Sequence, residues 1–277
     1  MPDGQSTASR IPEGMTAIDV HCHVYPDELA QRAIQGINEF YGFDRETLDG
    51  TSSGLAQAIE DAPIGRCVIH SVATRPTQVE AINDFIAAKA AEEPRFTGFM
   101  AMHQDHEDPE GEIDRAIGLG LRGIKIHPDT QQVDVDDPRL MDVYEIAQDR
   151  GIPLIIHCGD VRLDHSHPRR TKRVLEAFPD LVVDAAHLGG WSVFDEAVKH
   201  LKDERCLMDM SSSIGLLGVE RVSELVRIHG IDRIMFGSDY PMWDPAHELE
   251  LFASAGWSER ELEAMLHDNA LRFLGEA

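Results

Sequence analysis

AIDVHCH, residues Ala17–His23, is the stretch from which we predict the fold. Its apolar and polar residues alternate, which indicates a β-strand because successive side chains of a strand point to opposite faces. Asp19, His21 and His23 then share one face. Two imidazoles two residues apart can reach one point beyond the strand end, and imidazole nitrogen is a good zinc ligand. The pair alone also fits two solvated histidines at a strand end. The rest of the chain is needed to distinguish this alternative from a metal site.

Short apolar runs alternate with segments of helical periodicity along the whole chain. The predicted strands span residues 16–23, 66–72, 96–102, 123–127, 153–157, 181–187, 206–210 and 233–237. The predicted helices span residues 77–91, 138–150, 171–178, 193–201, 219–229, 247–255 and 258–274, the last with a capping box at Ser258 and Glu261. This alternation predicts the α/β class and a (β/α)₈ TIM barrel, distorted by an inserted segment, residues 25–63, after strand 1. An open doubly wound sheet is the alternative.

The length of 277 residues suits a single barrel domain, which we place at residues 15–277. Residues 1–14 read as a flexible N-terminal lead-in, since they contain no apolar core of a secretory signal. No stretch is long and apolar enough to span a bilayer. The four cysteines lack CxxC spacing and fit free thiols in a reducing compartment, so we expect a cytoplasmic protein.

The charge balance limits the possible partners. Acidic residues number 50 and basic residues 25, which gives a formal net charge of −25. Such a surface repels nucleic acid and anionic membranes, so we expect a small-molecule substrate as the partner. The acidic composition is typical of proteins from halophilic organisms, and an ordinary acidic protein is the alternative.

Histidines end four of the eight predicted strands. His21 and His23 end strand 1, while His127, His157 and His187 end strands 4, 5 and 6. Strand 8 ends in FGSDYP at residues 236–241, which contains Asp239. A closed barrel gathers these ends onto one ring, where the active sites of such barrels lie. The sequence therefore predicts a site with metal-binding capacity at this edge.

These motifs resemble those of the amidohydrolase superfamily, specifically the amidohydrolase-related group with the aminocarboxymuconate semialdehyde decarboxylase-like enzymes. The resemblance extends in order from residue 18 to residue 274. It rests on DVHCH (19–23), GIKIHP (123–128), IHCG (156–159), AHLGG (186–190), FGSDYP (236–241) and NALRFL (269–274).

The resemblance implies roles for the strand-end residues. His21, His23, His157 and Asp239 match the metal ligands, and one divalent ion, expected to be zinc, is implied. His187 matches the catalytic histidine that orients or deprotonates the metal-bound water. A divalent ion lowers the pKa of bound water to about 7, and Asp239 can ligate through one oxygen and take a proton through the other.

Four further residues belong to the predicted site with alternatives left open. In two-metal amidohydrolases a strand-4 lysine becomes a bridging carbamate, whereas the group resembled here generally keeps this residue, Lys125, unmodified. Strand alternation puts His127 on the same face, where we expect it to contact substrate. Arg162 can bind a substrate carboxylate bidentately, although the residue alone favours an exposed loop arginine. Asp209 on strand 7 is expected to contact a metal-ligand side chain and not the ion itself.

Hydrolysis of an amide, lactone or ester by metal-activated water is the first expectation for function. The alternative on the same scaffold is non-oxidative decarboxylation or hydration of an unsaturated or aromatic carboxylic acid. An inactive binding protein with a vestigial site is a rival of another class. A TatD-like nuclease is disfavoured by the acidic surface. The sequence does not give the oligomeric state, and a homodimer is the candidate because dimers are common among the proteins resembled.

Overall fold

A computed structural model describes residues 11–43 and 47–277 of the chain. The strands of this part are β1 (Ala17–His23), β2 (Ile64–His70), β3 (Phe96–Ala101), β4 (Gly123–Ile126), β5 (Leu154–Ile156), β6 (Val183–Ala185), β7 (Met208–Asp209) and β8 (Ile234–Met235). Its helices are α1 (Asp27–Tyr41), α2 (Ser52–Ala58), α3 (Val79–Glu92), α4 (Pro109–Gly118), α5 (Pro128–Gln131), α6 (Pro138–Arg150), α7 (Pro168–Ala177), α8 (Phe194–Leu201), α9 (Ser213–Leu217), α10 (Val219–His229), α11 (Pro245–Ala253), α12 (Glu259–Glu263) and α13 (Asn269–Phe273).

The strands form a curled parallel sheet. β1 to β6 pair in chain order, and β7 pairs with β8 in a separate two-stranded ladder. Single bridges join the two groups, from Asp184 to Leu207 on one side and from Cys22 to Tyr240 on the other. The predicted (β/α)₈ barrel is therefore confirmed in a distorted form, because its ring is completed by isolated bridges instead of continuous ladders.

Burial explains why the strands read as apolar runs. Every residue of β1 and β3 is buried, as expected for strands covered by helices on one side and by the barrel interior on the other. The polar residues of β1 belong to the interior, where Asp19 and His21 have no exposed surface. A strand that carries polar groups inwards places them where only other polar groups or a ligand can satisfy them.

The inserted segment contributes two helices, and the first of them, α1, lines the cavity. α1 turns its Leu29, Ala33, Ile37 and Phe40 towards the cavity at the carboxyl ends of the strands. These residues recur at three- and four-residue spacing, which puts them on one helix face. The insertion thus forms part of the wall of the site.

Each end of the chain carries a prediction, and only the one at the C-terminal end is confirmed. Residues 1–10 of the predicted lead-in lie outside the described residues, while Ile11 is buried in the core. At the other end, the Ser258 hydroxyl accepts from the Glu261 amide and the Glu261 carboxylate accepts from the Ser258 amide, which confirms the capping box. In the part of the chain that the structure covers, no helix has the length and apolar character to cross a bilayer.

Candidate metal centre

The polar strand ends meet at one cavity of about 790 Å³. His23, His127, His157, His187 and Asp239 line it, and His21 lies directly beside His23. The four cavity-lining histidines are nine-tenths or more buried, so their charged forms are disfavoured. Residues that are up to 218 positions apart in sequence therefore form one site, as the strand order predicts.

Three donor atoms of β1 and the loop after β8 converge. The Nε2 atoms of His21 and His23 are 3.3 Å apart, and each lies 3.6 Å from Oδ1 of Asp239. A tetrahedral ion with nitrogen ligands at about 2.0 Å separates its donors by about 3.3 Å. The donor set and its spacing therefore fit a divalent ion.

Asp239 is held in an uncommon conformation. Its φ of 65° lies in the left-handed region, which a non-glycine residue occupies at some cost in energy. The Ser212 hydroxyl donates to Oδ2, and the Trp243 indole donates to that hydroxyl over 2.9 Å. One carboxylate oxygen is thus held from outside while the other faces the two histidines.

Asp209 of β7 orients the ring of His21. The Nδ1 atom of His21 donates to Oδ2 of Asp209 over 2.7 Å, which leaves the lone pair on Nε2, the nitrogen near His23 and Asp239. Burial opposes ionisation of Asp209, but the neighbouring His21 ring and the hydrogen bonds hold its pKa well below the ordinary value. The carboxylate is therefore ionised, as a partner of a metal-binding histidine needs to be.

Lys125 approaches the same nitrogen from β4. Its Nζ donates to Nε2 of His21 over 2.9 Å, and the side chain is 1% exposed. Burial lowers the pKa of Lys125 to about 8, against the opposing effect of Asp209 and Asp239. A lysine with this pKa loses its proton more readily than a surface lysine. Lys125 is therefore compatible with both alternatives, the unmodified amine and the carbamate.

His157 is not oriented like the β1 pair. Its Nε2 lies 3.1 Å from the carbonyl oxygen of Gly159, and its ring stacks on His127 at 3.9 Å between centroids. A carbonyl only accepts, so Nε2 of the neutral ring carries the proton and Nδ1 faces His187 at 3.0 Å. The candidate ligand atoms that lie within 4.8 Å of one another include a group formed by His157, His127 and Asp129. This group does not contain His21 or His23. The ligand role of His157 stays a prediction.

His187 bridges the two halves of the site. Its Nε2 faces His157, and its Nδ1 lies 2.8 Å from the Ser211 hydroxyl. Burial lowers the pKa of His187 to about 4, although Asp239 opposes the effect. The ring is therefore neutral near pH 7, and a neutral imidazole can both accept and donate a proton.

The two residues predicted to contact substrate, His127 and Arg162, lie in different surroundings. His127 lines the cavity, and its Nε2 lies 3.0 Å from the phenol oxygen of Tyr41. Arg162 is not among the lining residues, because its guanidinium binds both carboxylate oxygens of Asp160 and donates to the carbonyl oxygen of Phe40 over 2.5 Å. Substrate contact by Arg162 stays a prediction. The alternative is that Arg162 holds the end of α1 through Asp160 and Phe40.

Two arginines that the sequence analysis did not single out also line the cavity. Arg32 lies on α1, and Arg75 follows β2. Among residues 11–43 and 47–277 neither forms an ion pair with a carboxylate, although acidic residues outnumber basic ones two to one. The rings of Phe40, Tyr41 and Trp191 contact one another and form an aromatic wall of the same cavity. The cavity therefore combines apolar surface with positive charge.

His70 is the third residue that sequence reasoning missed. It ends β2 with no exposed surface, and its ring lies 4.5 Å from that of His23 between centroids. The signal was present, because His70 occupies the last position of a strand beside β1. It was overlooked because the predicted strand continues to residue 72, which makes His70 an interior position.

Comparisons with known proteins give a family and a set of relatives. The family profile described as amidohydrolase matches residues 18–275. The chain is 29% identical over 236 residues to a 2-amino-3-carboxymuconate-6-semialdehyde decarboxylase of Dictyostelium discoideum; the match covers 70% of this chain and 65% of that protein. The chain thus spans about two thirds of the length of this curated relative.

Solved structures share the fold. A TIM-barrel protein of Bordetella bronchiseptica has a TM-score of 0.76 at 22% identity, covering 95% of this chain and 99% of the other. A dihydroxybenzoic acid decarboxylase of a Polaromonas species, with bound manganese and the inhibitor 2-nitroresorcinol, has a TM-score of 0.71 at 16% identity, covering 94% and 97%. The Dictyostelium relative and the Polaromonas structure are both named as decarboxylases, so the expectation that put hydrolysis first was wrong.

Proposed function

The chain belongs to the amidohydrolase family, and from that premise we propose that it is a metal-dependent, non-oxidative decarboxylase of an aromatic or unsaturated carboxylic acid. The observation that carries the proposal is the convergence of His21 Nε2, His23 Nε2 and Asp239 Oδ1 in a cavity with an aromatic wall and two arginines. The named activities of the relatives support this reaction class.

We assign His21, His23, His157 and Asp239 as the ligands of one divalent ion. When bound, the ion supplies a positive charge that polarises an oxygen atom of the substrate beside the scissile carboxylate. The nitrogen-rich donor set fits zinc, and manganese in the Polaromonas relative makes that ion the second candidate. Elemental analysis of the purified protein distinguishes them and tests the expected ratio of one ion per chain.

The chain's own residues handle the remaining tasks of the reaction. Loss of carbon dioxide breaks a carbon–carbon bond, and the electron pair left on carbon must receive one proton. Asp239 and His187 face the cavity and are our candidates for holding and moving that proton. The ring of His187 is neutral and lies in contact with His157 and Ser211, which fixes its position.

Binding of the acid follows from the cavity walls. Arg32 and Arg75 supply guanidinium groups for an anionic substituent, and Phe40, Tyr41 and Trp191 provide ring faces for an unsaturated substrate. A cavity of about 790 Å³ is within the range of small-molecule sites. His127, which lies between Tyr41 and His157, is our proposed polar contact for the substrate.

The test is release of carbon dioxide from a panel of hydroxybenzoic acids and unsaturated acids by protein loaded with Zn²⁺ or Mn²⁺. We expect release from at least one acid, and loss of both metal and activity in His23→Gln. His247→Gln, which changes an exposed histidine of α11, is the matched control and retains both. A fully loaded protein that releases carbon dioxide from no member of the panel would contradict the proposal.

The other expectations stay predictions. They are a single domain at residues 15–277, a cytoplasmic location, a homodimer, and the absence of nucleic acid or membrane partners. Light scattering on a size-exclusion column tests the dimer, and limited proteolysis tests the domain.

A further inference from the structure

His70 lies in the metal site without a role in the proposed reaction. In the parallel pair of β1 and β2 it stands opposite His23. Its ring meets His23 edge-on at 4.5 Å and His21 at 4.9 Å between centroids. One ring nitrogen from each of the three histidines lies within 4.8 Å of the other two. The strand pairing therefore brings a third imidazole to the two that DVHCH supplies.

The ring of His70 has unsatisfied polar atoms. Within the described residues neither Nδ1 nor Nε2 has a hydrogen-bond partner, and the residue is 0% exposed. A buried polar group without a partner costs about 1–3 kcal/mol, so such a residue needs a compensating interaction.

The neighbours of His70 cannot supply that compensation themselves. Nε2 of His21 already accepts from Lys125, and Nε2 of His23 faces Nε2 of His21 and Oδ1 of Asp239. Neither of these nitrogens donates to His70, whose ring nitrogens have no partner among the described residues. A cation bound here would take the place of Lys125 Nζ at His21 and would accept a lone pair from His70 as well.

His229 shows that burial alone does not make a histidine a ligand. Both of its ring nitrogens also lack a partner among the described residues, and it is 3% exposed. It ends α10, and the donor groups found in the described chain do not include it. The difference between the two residues is the cluster of donors around His70.

We propose that His70 is a further ligand of the divalent ion at His21, His23 and Asp239, so that three neighbouring imidazoles face one metal. The inference rests on the metal site of the proposed function but not on the reaction. With His157 as assigned above, His70 brings the number of imidazoles beside one carboxylate to four, and a donor set this rich in nitrogen favours Zn²⁺ and Co²⁺ over Mn²⁺. His70 thereby becomes a determinant of which metal this chain selects.

The experiment compares His70→Phe with His229→Phe, which removes the same two nitrogens from a buried site without donors. Each full-length protein is stripped with a chelator and titrated with Co²⁺, whose visible absorption band reports its ligands. Zn²⁺ and Mn²⁺ affinities follow from competition. For His70→Phe we expect Zn²⁺ and Co²⁺ binding at least about tenfold weaker, a smaller loss for Mn²⁺, and an altered Co²⁺ band. His229→Phe should match the wild type.

His70→Gln is measured in parallel in case the phenylalanine ring disturbs folding, and either folded variant decides the question. Wild-type affinity and an unchanged Co²⁺ band in a folded His70 variant would overturn the inference while leaving the metal centre intact. A wild-type protein that binds none of the three ions would instead remove the metal centre of the proposed function. Carbon dioxide release is not part of either readout.

Discussion

At the scale of single residues, His187 is the clearest case for a role in chemistry without a role in metal binding. Its ring contacts His157 and Ser211, and its pKa of about 4 keeps it neutral. We expect His187→Asn to keep the fold and the ion but to lower kcat by about 10² to 10⁴, the usual range for general acid–base help. Metal content and kcat are measured on the same preparation.

Two outcomes would contradict this assignment. Full metal with near-normal kcat would remove His187 from the mechanism. Loss of the metal would make His187 a ligand and would displace one of the four assigned residues. Ser211→Ala, which deletes the hydroxyl beside Nδ1 but leaves the ring in place, is expected to reduce kcat less than His187→Asn does.

Strand alternation was enough to predict which residues face the site but not how their rings are turned. The sequence places His21 and His23 on one face, and the structure puts their Nε2 atoms 3.3 Å apart. The orientation of His157 depends on the carbonyl of Gly159 and on stacking against His127, which is on another strand. Contacts of that kind are tertiary and leave no periodic signal in the sequence.

At the scale of elements, the position of α1 depends on Arg162. The guanidinium lies over the rings of Phe40 and Tyr41 at 5.1 and 5.3 Å and donates to the carbonyl oxygen of Phe40 in the last turn of the helix. A cation that binds the final carbonyls stabilises a helix end. We expect Arg162→Ala to increase hydrogen exchange of the last turn of α1, measured by mass spectrometry.

The same variant separates the two roles considered for Arg162. If the side chain binds substrate instead, KM rises while the exchange of α1 stays unchanged. Arg173→Ala is the control, because this exposed arginine pairs with Asp136 and belongs to α7. Faster exchange in α1 of the control as well would mean that loss of any ion pair is sufficient.

His229, at the end of α10, is expected to make the free energy of unfolding depend on pH. Burial, and then Arg233, lower its pKa from 6.5 to about 4. The unfolded chain therefore binds a proton as the pH falls through 6.5, while the folded chain does not until about pH 4. Stability is complete above pH 6.5 and is lost below it, by about 2 kcal/mol at pH 5 for this residue.

Denaturant unfolding of the wild type and of His229→Phe at pH 7.5 and pH 5 measures this contribution. We expect the decrease in unfolding free energy between the two pH values to be about 2 kcal/mol smaller in the variant. Other buried histidines titrate in the same window, so only the difference between the two proteins is informative. An equal decrease in both would show that His229 is protonated without cost.

Element bounds were predicted best where local signals mark them. Gly151, with φ of 64°, ends α6 at the predicted residue, since this left-handed cap favours glycine. α7 begins at Pro168, three residues before the predicted start, because the proline takes the first helical position and the His167 side chain accepts from the Arg169 amide. That histidine cap is not among the common capping residues, so the sequence did not indicate it.

At the scale of the whole molecule, the order of strands and helices was predictable, whereas closure of the barrel was not. β7 and β8 are two-residue ladders, shorter than the apolar runs that predict them. The ring is completed by contacts such as the amide of His23 donating to the carbonyl of Tyr240 over 2.7 Å. Such hydrogen bonds join segments more than 200 residues apart, and strand periodicity carries no information about them.

The net charge of −25 leads to a prediction for the molecule as a whole. Arginines already bind two carboxylates each at several places, as Arg150 does with Asp114 and Glu110. Salt weakens such exposed pairs, which are each worth about 0–1 kcal/mol. It also screens repulsion among the excess carboxylates, since the Debye length falls from about 10 Å at 0.1 M to about 3 Å at 1 M. Because acidic residues are in twofold excess, we expect the second effect to dominate.

The melting temperature should therefore rise steeply between low and molar potassium chloride. A variant with Glu107→Gln, Asp149→Asn and Glu259→Gln tests the cause, because these exposed residues form no ion pair within the described part of the chain. Removing three repelling charges should raise the melting temperature at low salt and reduce its dependence on salt. Sodium chloride at equal concentration should act like potassium chloride if screening is responsible. A melting temperature that stays flat over this range would mean that the carboxylates are too widely spaced to repel one another, as in an ordinary acidic protein.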